Sequence, residues 1–154
     1  VSGIAVRPFE DRALPFLARV APRLDHGPTV SPRDPERMRE VFAAIGRRER
    51  AMPGEELFVA VGEAGEPLGA IALAPDADWF TGHPRAYVNL LAVDAAAEGR
   101  GVGRALMEHA ERWARERGCL EVCLDVFAGN AGATAFYERL GYRPDHVRMA
   151  KPLS

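Results

Sequence analysis

Apolar residues recur along the chain with two periods, and the changes of period outline its elements. Leu106, Met107, Ala110, Trp113 and Ala114 share one face of a helix over Arg104–Arg117, which Gly118 ends. Met38, Val41, Phe42 and Ile45 repeat in the same way, so 35–49 reads as an amphipathic helix. Asp34 would be its N-cap and Pro35 its first helical residue. Asp11–Val20 reads as an earlier helix, with Pro15 in the early turn that tolerates it. Ile4–Pro8, Leu57–Val61, Pro67–Leu73, Ala86–Val93 and Leu120–Phe127 are short β-type runs instead. Glu63-Ala64-Gly65-Glu66 joins the second and third of them as an antiparallel hairpin. Asn130 caps a short helix through Leu140 that Gly141 closes; Arg143-Pro144 breaks the chain, and His146–Lys151 reads as a last strand. Arg23–Pro32 and Asp76–His83 are loop-like, the latter carrying Trp79, Phe80 and His83.

The second half therefore runs strand, glycine turn, helix, strand, helix, strand. A strand–helix–strand unit needs a crossover, which makes 86–93 and 120–127 parallel neighbours. The first half contributes antiparallel strands. The expected fold class is α/β, a mixed and mostly antiparallel sheet with helices on both faces. The 154 residues suit one domain spanning 1–154.

Composition changes this picture little. The formal net charge is −2, which gives no footprint for nucleic acid. Nineteen of the twenty basic residues are Arg, an imbalance that compositional bias explains for most of them. No apolar run approaches the roughly twenty residues of a membrane span, so no membrane partner is expected. Val1-Ser2-Gly3-Ile4 has no signal-peptide pattern. Cys119 and Cys123 on an extended strand would lie about 13 Å apart, too far for a disulfide. Reduced thiols fit a cytoplasmic protein. No Cys/His group has zinc spacing, so no metal is expected.

The candidate chemistry centres on Glu98-Gly99-Arg100-Gly101-Val102-Gly103-Arg104-Ala105, between a strand and a helix. Glycines at alternate positions allow positive φ and close approach of a ligand to the backbone. The helix behind them offers unpaired N–H groups and the positive end of its dipole, a site suited to a pyrophosphate. A ligand-free tight turn is the bland alternative. A Rossmann nucleotide site fits poorly, because the glycines fall at 99, 101 and 103, and no P-loop lysine is present.

Leu91-Ala92-Val93-Asp94 followed by Glu98–Gly103 resembles the acetyl-CoA-binding strand and loop of the GCN5-related N-acetyltransferase (GNAT) family, whose loop pattern is Gln/Arg-x-x-Gly-x-Gly/Ala. Gly101 and Gly103 match; Glu98 stands where Gln or Arg is usual, with Arg100 and Arg104 able to offset its charge. Asn130-Ala131-Gly132-Ala133-Thr134-Ala135-Phe136-Tyr137-Glu138-Arg139-Leu140-Gly141-Tyr142 is similar to the family's second block, Asn-x-x-Ala-x-x-Phe/Leu-Tyr-x-x-x-Gly-Phe/Tyr. Together the two blocks cover roughly 86–142 in the family's order. The resemblance implies that the parallel pair splays and that Leu91, Ala92 and Val93 face the pantetheine arm with backbone groups. It implies that Gly99, Arg100, Gly101, Val102, Gly103 and Arg104 take the pyrophosphate, that Asn130 fixes the arm, and that Tyr137 protonates the departing thiolate. A phenol suits that role because its ordinary pKa is close to a thiol's. Phe136 reads as an apolar contact.

The acceptor amine must lose a proton, since an ammonium is not a nucleophile. Many family members carry a Glu on the first splayed strand; here the matching position is Asn89, which cannot take a proton. Asp94, Asp125 and His83 are the remaining candidates, each more readily explained as a surface or structural residue. Cys123 as an acyl carrier has no activating neighbour in sequence. Trp79, Phe80 and His83 suit either an acceptor pocket or a loop anchor; His26 and His146 carry no signal. The expected activity is direct transfer of acetyl from acetyl-CoA, as co-substrate, to a primary amine of a small molecule, peptide or protein. The alternative is a non-catalytic acyl-CoA-binding or sensing domain. The fold allows a homodimer, though no interface shows in the chain.

Overall fold

The computed structural model describes residues 3–23 and 27–153. Its sheet has five strands in the order β1 (Ala5–Pro8), β2 (Glu56–Val61), β3 (Pro67–Ala77), β4 (Pro84–Val93) and β5 (Glu121–Cys123). The first four pair antiparallel in succession, and β4 and β5 pair parallel. The crossover inferred from the glycine turn and its helix is therefore present.

Helices cover both faces. On one lies α3 (Val102–Glu116), with Val102, Leu106, Met107, Ala110, Trp113 and Ala114 buried against the strands. Full burial of a side chain such as Leu106 is worth about 1.5–3 kcal/mol, which fixes this helix and the turn that starts it. Phe136, Tyr137 and Leu140, from α4 (Ala131–Arg139) and its C-terminal end, pack against the same core. The opposite face takes Phe16, Leu17 and Val20 of α1 (Leu14–Val20), a helix that a 3-10 turn at Asp11–Ala13 leads into. Ile45 of α2 (Pro35–Gly46) joins that second core. The expected cap of α2 is formed: the Asp34 side chain accepts from the Glu36 N–H, and Pro35 sits in the first turn. The loop expected over 23–32 includes 24–26, and so His26, which lie outside the described residues.

Two strands differ from expectation. The strand expected over 120–127 is a ladder only at 121–123. After Cys123 the chain leaves the sheet to meet the 27–33 loop. There the Arg33 guanidinium lies 5.1 Å over the Phe127 ring, and a Cβ on Gly129 would stand 2.0 Å from the Pro28 carbonyl oxygen. The last strand, His146–Lys151, is not formed, and Val147 and Met149 are exposed. An isolated segment with a period-two pattern becomes a strand only against a partner, and a three-residue β5 offers too little edge to template six residues.

Candidate active site

The parallel pair is held at three positions: Arg85 opposite Glu121, Ala86 opposite Val122 and Tyr87 opposite Cys123. β4 then runs on to Val93 with β3 as its partner, so the two parallel strands part beyond Tyr87. The register of β4 on β3 shifts within this stretch. Leu73 faces Val88 but Ala72 faces Leu90, which leaves Asn89 as the extra residue of a β-bulge. The bulge changes which side chains face which helix. Ala86 and Val88 belong to the α3 core before it; Leu91 and Val93 pack against that core after it, while Leu90 and Ala92 turn to the α1 side. Leu91, Ala92 and Val93 thus have their side chains in apolar cores, and the polarity left in this part of β4 is backbone.

The turn after β4 is ordered by Asp94, whose side chain accepts from the Ala96 N–H and pairs with Arg19 at 2.6 Å. Gly99 and Gly101 follow at φ +73° and +84°, the left-handed region, and Gly101 is the N-cap of α3. No side chain caps that helix, in contrast to α2 and α4, so the N–H groups of its first turn are left to other partners. Gly103 has a different task. It is helical, and a Cβ there would stand 3.0 Å from the Phe136 ring, so its lack of a side chain lets α4 pack on α3. Arg100, Arg104 and Glu98 are all exposed around the turn. Gly101 and Arg104 also line a cavity of about 290 Å³ with Ile4, Val6, Ala105, Glu108 and Arg112.

Asn130 caps α4, its side-chain oxygen accepting from the Ala133 N–H at 3.1 Å. Tyr137, two turns further on, packs edge-on to Phe136 and to Tyr142. Burial pushes its phenol up to about 12, so it carries its proton at neutral pH.

The other end of β4 is polar. Arg85, Tyr87 and Asn89 alternate with the buried Ala86 and Val88, and each is tied to a carboxylate from a different element. Arg85 pairs with Asp76 at 2.7 Å, Asp78 at 3.3 Å and Glu121 at 3.6 Å. The Tyr87 hydroxyl donates to Asp125 at 2.9 Å, across the point where the strands part. Burial first, and the Asp125 carboxylate second, hold that phenol well above its ordinary range. The Asn89 amide donates to Glu55 at 2.7 Å. Sequence reasoning missed Tyr87 and Glu55. The period-two alternation of Arg85, Tyr87 and Asn89 was a signal for the first; nothing in the sequence pointed to the second.

The candidate bases are scattered. Asp94 is engaged by Arg19 and its own turn, Asp125 by Tyr87, and His83 sits exposed in the β3–β4 loop. Trp79 and Phe80 stack edge-on at 5.0 Å but are 85% and 82% exposed, so they bury too little to anchor that loop. The Asp78 carboxylate anchors it instead, by accepting from Phe80 N–H, Thr81 N–H and the Thr81 hydroxyl. Cys123 donates its thiol hydrogen to the Ala86 carbonyl, and burial pushes it up to about 11, which leaves a protonated thiol and a poor nucleophile at neutral pH. Both cysteines are free. Among the described residues no group of three His, Cys, Asp or Glu is placed to hold a metal, and no helix is long and apolar enough to cross a membrane.

The family model for the acetyltransferase (GNAT) family matches residues 21–142. A streptothricin acetyltransferase of Streptomyces lavendulae is 39% identical over 85 residues, 55% of this chain and 43% of that protein. A blasticidin-S acetyltransferase of Streptomyces morookaense is 38% identical over 102 residues, 63% of this chain and 69% of that protein. The first curated relatives are matched over about half of their length. Among solved structures, a Pyrococcus furiosus chain with a provisional acetyl transferase assignment superposes with a TM-score of 0.76 at 25% identity, over 97% of this chain and 99% of that one.

Proposed function

This chain belongs to the GNAT acetyltransferase family, and on that premise we propose that it transfers acetyl from acetyl-CoA directly to a primary amine of a cationic small molecule. The observation that carries the donor half is the parted end of β4 and β5 beside a turn whose glycines lead into an uncapped helix. Backbone of Leu91, Ala92 and Val93 holds the pantetheine arm. Gly99, Arg100, Gly101, Val102, Gly103 and Arg104 surround the pyrophosphate, with the dipole of a fifteen-residue helix behind them. Asn130 fixes the arm from the start of α4.

Tyr137 delivers the proton to the departing thiolate. At about 12 it is a weaker acid than a free phenol, but the leaving group meets the same desolvation. Exclusion of water disfavours the charged form of any thiol, and so favours protonation of a departing thiolate. The cationic acceptor is supported by the polar end of β4, where Asp76, Asp78, Glu121, Asp125 and Glu55 outnumber Arg85 and Arg48, and by the antibiotic acceptors that the two Streptomyces relatives are named for.

The test is incubation with acetyl-CoA and a panel of amines that includes polyamines, cationic antibiotics and lysine peptides. Amine-dependent CoA release and a product heavier by one acetyl group are expected with cationic small molecules. Acetyl-CoA should also raise Tm, as a ligand of the folded state does, while NAD at equal concentration should not. A shift with acetyl-CoA but no CoA release with any amine would leave the non-catalytic acyl-CoA-binding reading in place of this one.

A further inference from the structure

The geometry points to Asn89 as the residue that binds the acceptor's amino group, through its amide oxygen, and to Glu55 as the residue that orients that oxygen; this rests on the acetyltransferase reading above. The orientation of the Asn89 amide is fixed by chemistry. Its nitrogen lies 2.7 Å from Glu55 Oε2 and 3.4 Å from the Arg50 carbonyl oxygen. Both partners can only accept, so the NH₂ group must face them and Oδ1 must face the other way. The bulge at Asn89 sets the same side chain on the Tyr87 side of β4 rather than in the α3 core.

Glu55 is built as a fixed post. Its side chain is 1% exposed and receives three donors: the Arg48 guanidinium, the Met52 N–H at 3.0 Å and the Asn89 amide. Arg48 reaches it from the residue just after the C-cap of α2, at φ +65°, the one non-glycine with positive φ among the described residues. Glycine is the usual choice there, and an Arg in that conformation is strained.

The hydrogen-bond inventory of this face then specifies its ligand. The Tyr87 hydroxyl is engaged by Asp125, the Asn89 NH₂ by Glu55, and Arg85 by Asp76, Asp78 and Glu121. These donors are thus turned onto carboxylates within the protein, while the Asn89 amide oxygen is turned away from Glu55. A primary amine or ammonium, with two or three N–H donors, is the complementary group. Asn89 takes no proton; its role is to hold the amine.

The experiment measures KM for the amine, kcat, acetyl-CoA affinity and Tm for the unmodified protein, Asn89→Ala, Glu55→Ala and Glu55→Gln. Streptothricin, blasticidin S and spermidine are the acceptors. Asn89→Ala should raise KM for the amine about tenfold or more, the weight of a hydrogen bond to a charged group, with acetyl-CoA affinity unchanged. Glu55→Ala should raise it in the same direction by less. Glu55→Gln should recover most of the loss, because the glutamine carbonyl still accepts from Asn89. An Asn89→Ala protein that melts normally, binds acetyl-CoA and keeps its amine KM overturns the assignment. Equal loss in Glu55→Gln and Glu55→Ala overturns the orienting role. Absence of turnover of all three amines by an unmodified protein that binds acetyl-CoA would instead fail the transferase reading, and the amine site with it.

Discussion

The two ends of β4 present opposite surfaces. From Leu90 to Val93 the side chains lie in apolar cores on both faces, and the turn that follows is shaped by glycines at 99 and 101, so this end presents backbone. From Arg85 to Asn89 the strand presents polar side chains, each set by a carboxylate from another element. Backbone recognition suits a donor with an invariant pyrophosphate and amide-rich arm. Side-chain recognition can be exchanged residue by residue, and so it suits an acceptor that differs between enzymes.

The largest expected effect separates the two ends by pH. The carboxylates at the acceptor end are engaged, Asp125 by Tyr87 and Glu55 by Arg48, and Asp94 at the other end of the strand is held by Arg19. An alkylamine with a pKa of about 10.4 should then supply its own free base. We expect kcat/KM to rise about tenfold per pH unit between pH 7 and 9, following the neutral amine fraction. A plateau that begins near pH 7 would reveal a base at this end. At the donor end, Tyr137→Phe keeps the ring and removes the proton. It should lower kcat by about 10²-fold with little change in acetyl-CoA affinity, provided that chemistry limits turnover.

Those two ends were unequally legible in sequence, for a physical reason. A site made of backbone needs glycines at fixed offsets, and these stand together between residues 99 and 103. The helices were legible as well, because Asp34, Asn130 and the apolar stripe of α3 act locally. A site made of side chains needs no contiguous pattern: Arg48, Glu55, Asp76, Glu121 and Asp125 meet β4 only through the sheet. The bulge at Asn89 is a register relation with Ala72 and Leu73, and it cannot be seen in one strand alone. The same limit explains the strand expected at 146–151, which had the alternation of a strand without a partner, and the truncation of the strand expected at 120–127.

Smaller effects sharpen the comparison at the glycine turn. Gly101→Asp should weaken acetyl-CoA binding through charge and bulk near the pyrophosphate, and Gly101→Ala should cost roughly 1–2 kcal/mol of stability from its φ of +84°. Gly103→Ala should act through packing instead, costing about 1–3 kcal/mol by pressing on Phe136 at 3.0 Å. Phe136→Leu should cost less in the Gly103→Ala background than alone, which a double-mutant cycle in urea can read. Additive losses would mean that the two helices do not share that contact.

Alkaline stability offers a further check, with a sign that follows from burial. Folding raises the Cys123 thiol to about 11 and the Tyr137 phenol to about 12, so each contributes stability in full below its ordinary value, 9.0 and 10.0 respectively. That contribution is lost as pH rises through about 11 and about 12. Urea midpoints should fall over this range, and less steeply in Tyr137→Phe. The smallest effect belongs to Cys123→Ala, which should leave turnover within about twofold, because a protonated thiol is no acyl carrier.

Direct transfer requires both substrates on the enzyme together, one at each end of β4. Initial rates with acetyl-CoA and amine varied against one another test this most directly. Intersecting reciprocal lines are expected, with no acetylated protein when amine is omitted. Parallel lines, with an acetyl group on the enzyme in the absence of amine, would contradict it.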